Sequence, residues 1–426
     1  MNLKALHCLA WIFLASLVAS AAEPDQRKTR CSTVEYVERL KAENPNYLKN
    51  KQVDQILLDQ LDADQVHSRA SNVVYTIPVV VHVVYKTTAQ NISDAQILSQ
   101  IEVLNEDFSR RNADSTNTPS FWTGIAGTSN FQFCLAKEDP SGNPTSGIER
   151  RVTTSNSFST SNNMKYYSAG GLDAWDVNRY FNIWVCNLSN FLLGYAEPAS
   201  SIHSNDYGVV IIYDSFGRIG TVSSPYNLGR TTTHEIGHAF GMEHIWGDDN
   251  NCSGSDGIAD TPNQEVETYD CPVAVPMFDG CTPSGNGIMY MNYMDYTDDA
   301  CMNMFTTGQT NRMKLIMEAF YPTLLVSTAC EDITGINGTT NDFSFSIYPN
   351  PTNGFVKLDM YLMEYVGASI NLRVSDMLGR SILEERINNP NGKTHELDLH
   401  DQDAGIYFVT LFNDDYRRTV RLEITK

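Results

Sequence analysis

His234 and His238 stand four residues apart with Glu235 beside the first. His244 follows in the same stretch, Thr233-His234-Glu235-Ile236-Gly237-His238-Ala239-Phe240-Gly241-Met242-Glu243-His244. On a helix, side chains at i and i+4 project from one face about one turn apart. That separation lets two imidazoles reach a single zinc ion at roughly 2.0–2.1 Å each. Glu235 occupies the position of a general base rather than of a ligand. Gly241 permits a left-handed exit from the helix, after which His244 can approach the same ion from another side. Three neutral imidazoles leave a fourth position for water, the layout of a catalytic rather than a structural zinc site. The alternative, an amphipathic helix that happens to carry histidines, would need this spacing to arise by coincidence in a chain of 426 residues with only 9 histidines.

The string HExxHxxGxxH is the signature of the metzincins, which also carry a downstream methionine turn, and Asn292-Tyr293-Met294-Asp295-Tyr296 is the candidate here. His244-Ile245-Trp246-Gly247-Asp248, Asp260-Thr261-Pro262, Tyr293 to Cys301, Phe305-Thr306, Gln309 and Arg312-Met313 narrow the likeness. Across about residues 75 to 330 the chain resembles the pappalysin family of metzincins. That resemblance implies a zinc endopeptidase with Glu235 as proton acceptor, Met294 as an apolar base beneath the metal and Tyr296 as donor to the developing oxyanion. It implies the crossed disulfides Cys252–Cys281 and Cys271–Cys301, and structural calcium held by Asp256, the carbonyl of Ala259 and Thr261, with Asp248, Asp260 and Glu265 as weaker candidates. Arg30-Cys31-Ser32-Thr33 resembles the family's cysteine switch, although Ser32 replaces the usual glycine. Cys31 would then fill the fourth zinc position in a latent form, because a thiolate is a good zinc ligand. The resemblance also places activation cleavage at Ser68-Arg69, and a preference for a basic residue after the scissile bond at Asp299, with Asp298 as fallback. Metzincins bind extended substrate along an edge strand, which puts substrate binding at Gly208, Val209, Val210 and Ile211.

The whole chain must supply and position this chemistry. At 426 residues and 42% hydrophobic content it has room for two or three domains and a sizeable core. A formal charge of −21 argues against nucleic acid, whose phosphates demand a basic surface, and is compatible with calcium and with basic peptide substrates. Residues 1–22 carry Lys4, an apolar run through Leu9 to Leu14 and Ala19-Ser20-Ala21, the pattern of a secretory signal peptide. No later run of 18 apolar residues follows, so no transmembrane segment is expected. Export makes disulfides permissible. Of the 9 cysteines, Cys8 lies in the signal peptide, and Cys134, Cys186 and Cys330 are left with their pairing open.

Residues 23–69 are polar, with helical stretches around Ser32–Leu40 and Gln52–Leu61, and read as a pro-segment. The catalytic domain spans 70–330. It opens on the β-branched run Thr76 to Tyr85, a strand buried on both faces that contains His82 as a core residue. Ser93 caps a helix with Gln96 at the capping-box position and an apolar stripe of Ile97, Ile101, Leu104 and Phe108. Strands follow at Phe131–Leu135, Phe181–Cys186 and Gly208–Tyr213, with Ser161–Gly171 read as a mobile loop. The fold class is α+β: a metzincin-like domain with a twisted mixed sheet and an active-site helix, then a small all-β sandwich.

Residues 331–342 read as a linker and 343–426 as the sandwich, with alternating strands and a hairpin at Asp414-Asp415. Tyr348-Pro349-Asn350-Pro351-Thr352-Asn353-Gly354, Asp376-Met377-Leu378-Gly379-Arg380 and Ala404 to Val409 resemble the sorting domain of type IX secretion. That likeness implies the secretion machinery as a partner, passage through the periplasm, and a secreted or surface-attached product. A carbohydrate-binding module is the competing reading of the tail. For the whole chain, the competing functions are a cell-surface binding protein with a merely structural zinc and an enzyme for non-peptide esters or amides. Glu235 weighs against the first, since a structural site has no use for a base.

Overall fold

The computed structural model describes residues 28–64, 73–249, 251–331, 343–362, 369–377, 379–388, 394–413 and 417–426. The signal peptide, Ser68-Arg69, the hairpin at Asp414-Asp415 and all of the linker but Glu331 lie outside them. The first two elements are helices α1 (Thr33–Glu43) and α2 (Tyr47–Asp64). Strand β1 (Tyr75–Tyr85) follows, and its alternation assigns each face. Val79, Val81 and Val83 enter one apolar cluster, while Val84 enters another on the opposite side. A strand covered on both faces needs apolar residues at every position, which accounts for its unbroken valine run.

Helix α3 (Asp94–Phe108) lays its stripe of Ile97, Ile101, Leu104 and Phe108 into the first cluster. Ser93 Oγ accepts from Gln96 N at 3.2 Å, but the Gln96 side chain donates to the carbonyls of Tyr213 and Phe216 instead of returning to the cap. Only half of a capping box forms, because a tertiary partner captures the glutamine. Next come β2 (Phe131–Leu135), β3 (Ile148–Val152), β4 (Phe181–Cys186), β5 (Gly194–Ala196) and β6 (Gly208–Ile212). They form one sheet in the order β2-β1-β4-β6-β5, with β3 pairing the far half of β1. All ladders are parallel except β5 against β6.

This order corrects one expectation. Gly208–Ile211 lies inside the sheet, between β4 and β5, so its backbone is not open to a substrate strand. The edge is β5, only three residues long and too short to announce itself by alternation. Ser161–Gly171 is also corrected: it folds into two short 3-10 turns with Met164 and Lys165 buried. His82 is a core residue, its ring nitrogens 2.9 Å from Glu149 Oε2 and Asn182 Oδ1.

The motif helix α4 (Arg230–Ala239) packs on the β5–β6 side of the sheet and against α3. Its first turn is fixed by Arg230, which pairs with Asp107 and Asp114, and by Thr233 Oγ1 donating to Asp107 Oδ2 at 2.7 Å. Helix α5 (Thr307–Phe320) begins with a complete capping box of Thr306 and Gln309, and α6 (Pro322–Leu325) follows. Among the described residues, three disulfides join Cys252 to Cys281, Cys271 to Cys301, and Cys134 to Cys330, while Cys31 and Cys186 are free and buried. The Cys134–Cys330 bond ties β2 to the segment after α6.

The remaining strands, β7 (Phe343–Tyr348), β8 (Phe355–Leu362), β9 (Ser369–Asp376), β10 (Ser381–Asn388), β11 (Thr394–Asp398), β12 (Gly405–Phe412) and β13 (Arg417–Ile424), make two antiparallel sheets. Phe345, Leu358 and Leu397 of one sheet share a core with Leu372, Val409 and Leu422 of the other. Two sheets closing on one core make the expected all-β sandwich. Among the described residues, no helix is long and apolar enough to cross a membrane.

Candidate active site

His234 and His238 leave one face of α4, and the chain turns at Gly241 with φ +86° to return His244 to them. Each ring is held by its Nδ1. His234 donates to the Tyr293 carbonyl at 2.6 Å, His238 to the Met242 carbonyl at 2.8 Å, and His244 to Asp248 Oδ1 at 2.5 Å. The opposite nitrogens therefore converge, with His238 Nε2 3.1 Å from His234 Nε2 and 3.0 Å from His244 Nε2. Such outer partners set tautomer and ring orientation in metal sites. Trp246 stacks on His244 with centroids 4.4 Å apart. Burial, and then the charge of a neighbouring imidazole, hold His238 down to about 3 and His234 well below its ordinary value. Both stay neutral, the form that binds a metal.

Cys31 completes the cluster. Its Sγ and one nitrogen of each histidine all lie within 4.8 Å of one another, and all four residues are buried. Three imidazoles and a thiol are a donor set suited to tetrahedral zinc. Glu235 lies alongside: Oε2 accepts from Cys31 Sγ at 3.4 Å and Thr33 Oγ1 at 3.1 Å, while Oε1 is buried without a hydrogen-bond partner. Burial raises its carboxyl to about 8. A Cβ on Gly194 would stand 3.0 Å from Glu235 Cγ, so any larger residue would press on the glutamate side chain. Beneath α4, a Cβ on Gly237 would stand 2.5 Å from Met294 Sδ, so the methionine seats against the bare backbone of the helix. Tyr296, 8% exposed, lies with its hydroxyl 3.5 Å from the Cys31 carbonyl and its ring 4.9 Å from that of His244.

The segment bearing Cys31 runs along the true sheet edge. Thr29 N donates to the Phe191 carbonyl, Leu193 N to Thr29, and Ser32 N to Gly194, at 2.9–3.1 Å. Beside Cys31, Arg30 Nη1 stands 3.0 Å from Asp299 Oδ1, with both side chains fully buried. Asp299 Oδ2 accepts from the backbone of Leu228 and Arg230 at 2.9 and 3.2 Å. Sequence reasoning assigned no role to Arg30, Thr33 or Gly194, although Arg30 is adjacent to the one cysteine of the polar leader.

Asp256 Oδ1 accepts from Ile258 N at 3.1 Å and from Thr261 Oγ1 at 2.8 Å, whereas its Oδ2 is buried and has no hydrogen-bond partner. Burial raises this carboxyl to about 6. Ala259 lies exposed in the same turn. The weaker calcium candidates each accept hydrogen bonds. Asp248 orients His244, Asp260 accepts from Thr306 Oγ1 and Gly308 N at the start of α5, and Glu265 accepts from Gly280 N.

Residues 165–318 match the family described as Pregnancy-associated plasma protein-A, and residues 346–425 match the Secretion system C-terminal sorting domain. An extracellular metalloprotease of Arthroderma otae is 32% identical over 254 residues, covering 58% of this chain and 78% of that protein. Mature mirolysin of Tannerella forsythia in complex with a cleaved peptide is 52% identical, with TM-score 0.56, over 59% of this chain and 97% of that one. A promirolysin variant from the same organism is 47% identical, with TM-score 0.63, over 69% of this chain and 95% of that one. The sorting domain and the extracellular relatives make this a secreted or outer-surface protein. On these grounds the chain belongs to the pappalysin family of extracellular metalloproteases and carries a secretion sorting domain at its C-terminus.

Proposed function

We propose that the protein is a zinc endopeptidase made as a latent zymogen, and that it cuts before basic residues. The observation that carries this reading is the convergence of Cys31, His234, His238 and His244, with Glu235 beside them. His234, His238 and His244 would hold the zinc throughout, and Cys31 would be the ligand that leaves. Bound there, zinc supplies Lewis-acid chemistry, lowering the pKa of an attacking water towards about 7 and polarising the scissile carbonyl. Once the pro-segment departs, both oxygens of Glu235 are available. One accepts the water proton and later delivers it to the leaving amide nitrogen, a role worth roughly 10²–10⁴-fold. Tyr296 Oη–H donates to the oxyanion, and Met294 supports the helix from below. Peptide backbone would add along β5, where the pro-segment now lies.

The basic preference is supported by Arg30 on Asp299, since the leader already presents a guanidinium to that buried carboxylate. Asp256, Thr261 and the Ala259 carbonyl would hold calcium, supported by the orphaned Asp256 oxygen. The domains follow: signal peptide 1–22, pro-segment 23–69 cut at Ser68-Arg69, catalytic domain 70–330, linker 331–342 and sorting domain 343–426. A purely structural zinc would leave the unpaired buried oxygen of Glu235 without purpose. The test is casein hydrolysis by the matured protein with and without a chelator, alongside Glu235→Gln. Wild type should cut only without chelator, and the variant should keep stoichiometric zinc and lose cleavage. A variant that cuts normally would remove Glu235 from the chemistry.

A further inference from the structure

A further side chain of the leader, Tyr36, enters the protein away from the metal, and its surroundings form a fitted socket. Its hydroxyl donates to Glu197 Oε2 and accepts from Asn162 Nδ2 at 2.9 Å. Its ring meets that of Tyr195 at 5.2 Å, and Lys165 Nζ stands 5.7 Å from its centroid. Tyr36, Asn162, Lys165, Tyr195 and Glu197 are all at most 9% exposed. We propose that this socket, once vacated by the leader, is a specificity subsite that takes the phenol side chain of a substrate tyrosine on the N-terminal side of the scissile bond. The proposal rests on reading the chain as an endopeptidase released from its pro-segment.

The hydrogen-bonding walls of the socket belong to the part of the chain that remains, whereas Arg39, whose guanidinium lies 5.1 Å from the Tyr36 ring, leaves with the leader. Asn162 sits at φ +65°, a left-handed conformation that asparagine tolerates. Its Oδ1 accepts from Tyr195 Oη at 2.8 Å, and its Nδ2 lies 3.3 Å from Asp206 Oδ2. Lys165 Nζ donates to the Asp206 carbonyl at 2.7 Å. These residues hold one another without Tyr36. Tyr195 lies on the edge strand, and Glu197 follows directly after it. An extended peptide added to that edge turns alternate side chains towards Tyr195, away from Glu235. The leader runs parallel to the edge, with Arg30 before Cys31 and Tyr36 after it, so the socket is N-terminal to the bond for a substrate of opposite direction if Asp299 reads the residue after it.

The chemistry selects the occupant. One acceptor and one donor meet the two functions of a phenol hydroxyl, and a site built to bond a hydroxyl rejects the analogue that lacks it. A cation beside the ring favours an aromatic face. A basic side chain is disfavoured because Lys165 already places one buried ammonium there.

The experiment uses matured protease and peptides with arginine after the scissile bond, in which Tyr, Phe, Leu or Arg is scanned through the preceding positions. At one position Tyr should exceed Phe by at least about tenfold in kcat/KM, since hydroxyl-bonding sites discriminate at least this strongly. Glu197→Leu, which removes the acceptor, should bring that ratio close to one, and Asn162→Ala serves as the second variant should the first not fold. A Tyr/Phe ratio near one at every position overturns the proposal, as does a ratio that survives both substitutions or a preference for Arg over Tyr. Cleavage of the Leu peptides by the wild-type enzyme tests the protease reading separately.

Discussion

Replacing Asp299 by Asn removes one charge from the deepest ion pair of the cleft and little else. Its Oδ2 fastens the backbone of Leu228 and Arg230 just before the motif helix, and an asparagine oxygen can keep that work. Its Oδ1 faces the Arg30 guanidinium at 3.0 Å, with neither side chain exposed. In the matured enzyme a substrate arginine at this place would have to bury its charge against a neutral amide. Truncating one member of a buried, hydrogen-bonded charge pair costs about 2–5 kcal/mol. Taking about 3 kcal/mol because the amide still offers a polar partner, kcat/KM should fall roughly a hundredfold. The assay compares two quenched fluorescent peptides that differ only in Arg or Leu after the scissile bond. Asp299→Asn should depress the Arg peptide by that factor and the Leu peptide only a few-fold. Equal losses on both would mean that Asp299 merely braces the loop, and an undiminished Arg preference would place the selective charge elsewhere.

Cys31→Ala should shed its leader and gain activity sooner than wild type in a time course of fluorogenic-peptide cleavage, because the thiol no longer helps Arg30 and Tyr36 to hold the leader in the cleft; activation no faster than wild type would deny the cysteine its role. Asp248→Asn should weaken zinc binding by about 10–100-fold in competition with a chelator, the usual effect of losing a group that orients a ligand, and unchanged affinity would show that His244 needs no such support. Cys134→Ser with Cys330→Ser should cost about 2–5 kcal/mol, since the bond spans 196 residues. For a domain of this size that lowers Tm by roughly 4–20 °C, and a melting curve superimposable on wild type would show that the bond is dispensable.

What the sequence determined by itself is what a few neighbouring residues encode. His234, His238 and Glu235 share two turns of one helix, so their spacing alone states that they meet. The unbroken valines of Val79–Val81 declare a strand covered on both faces, and the stripe of Ile97, Ile101, Leu104 and Phe108 declares a helix against it. Strand β3, Ile148–Val152, escaped notice because its charged residues follow no apolar alternation, and β5 because three residues are too few to show a period. The sheet edge lies one strand beyond Gly208–Ile211. Only the tertiary structure decided which distant groups became partners. Arg30 and Asp299 stand 269 positions apart in the numbering, Arg230 and Asp107 are 123 apart, and Cys134 joins Cys330 across 196. It also set Asp248 against His244, and made a socket for Tyr36 from a loop that read as mobile. Backbone periodicity writes local geometry into adjacent residues, whereas ion pairs, sheet edges and sockets come into being only when the packed core brings remote segments together.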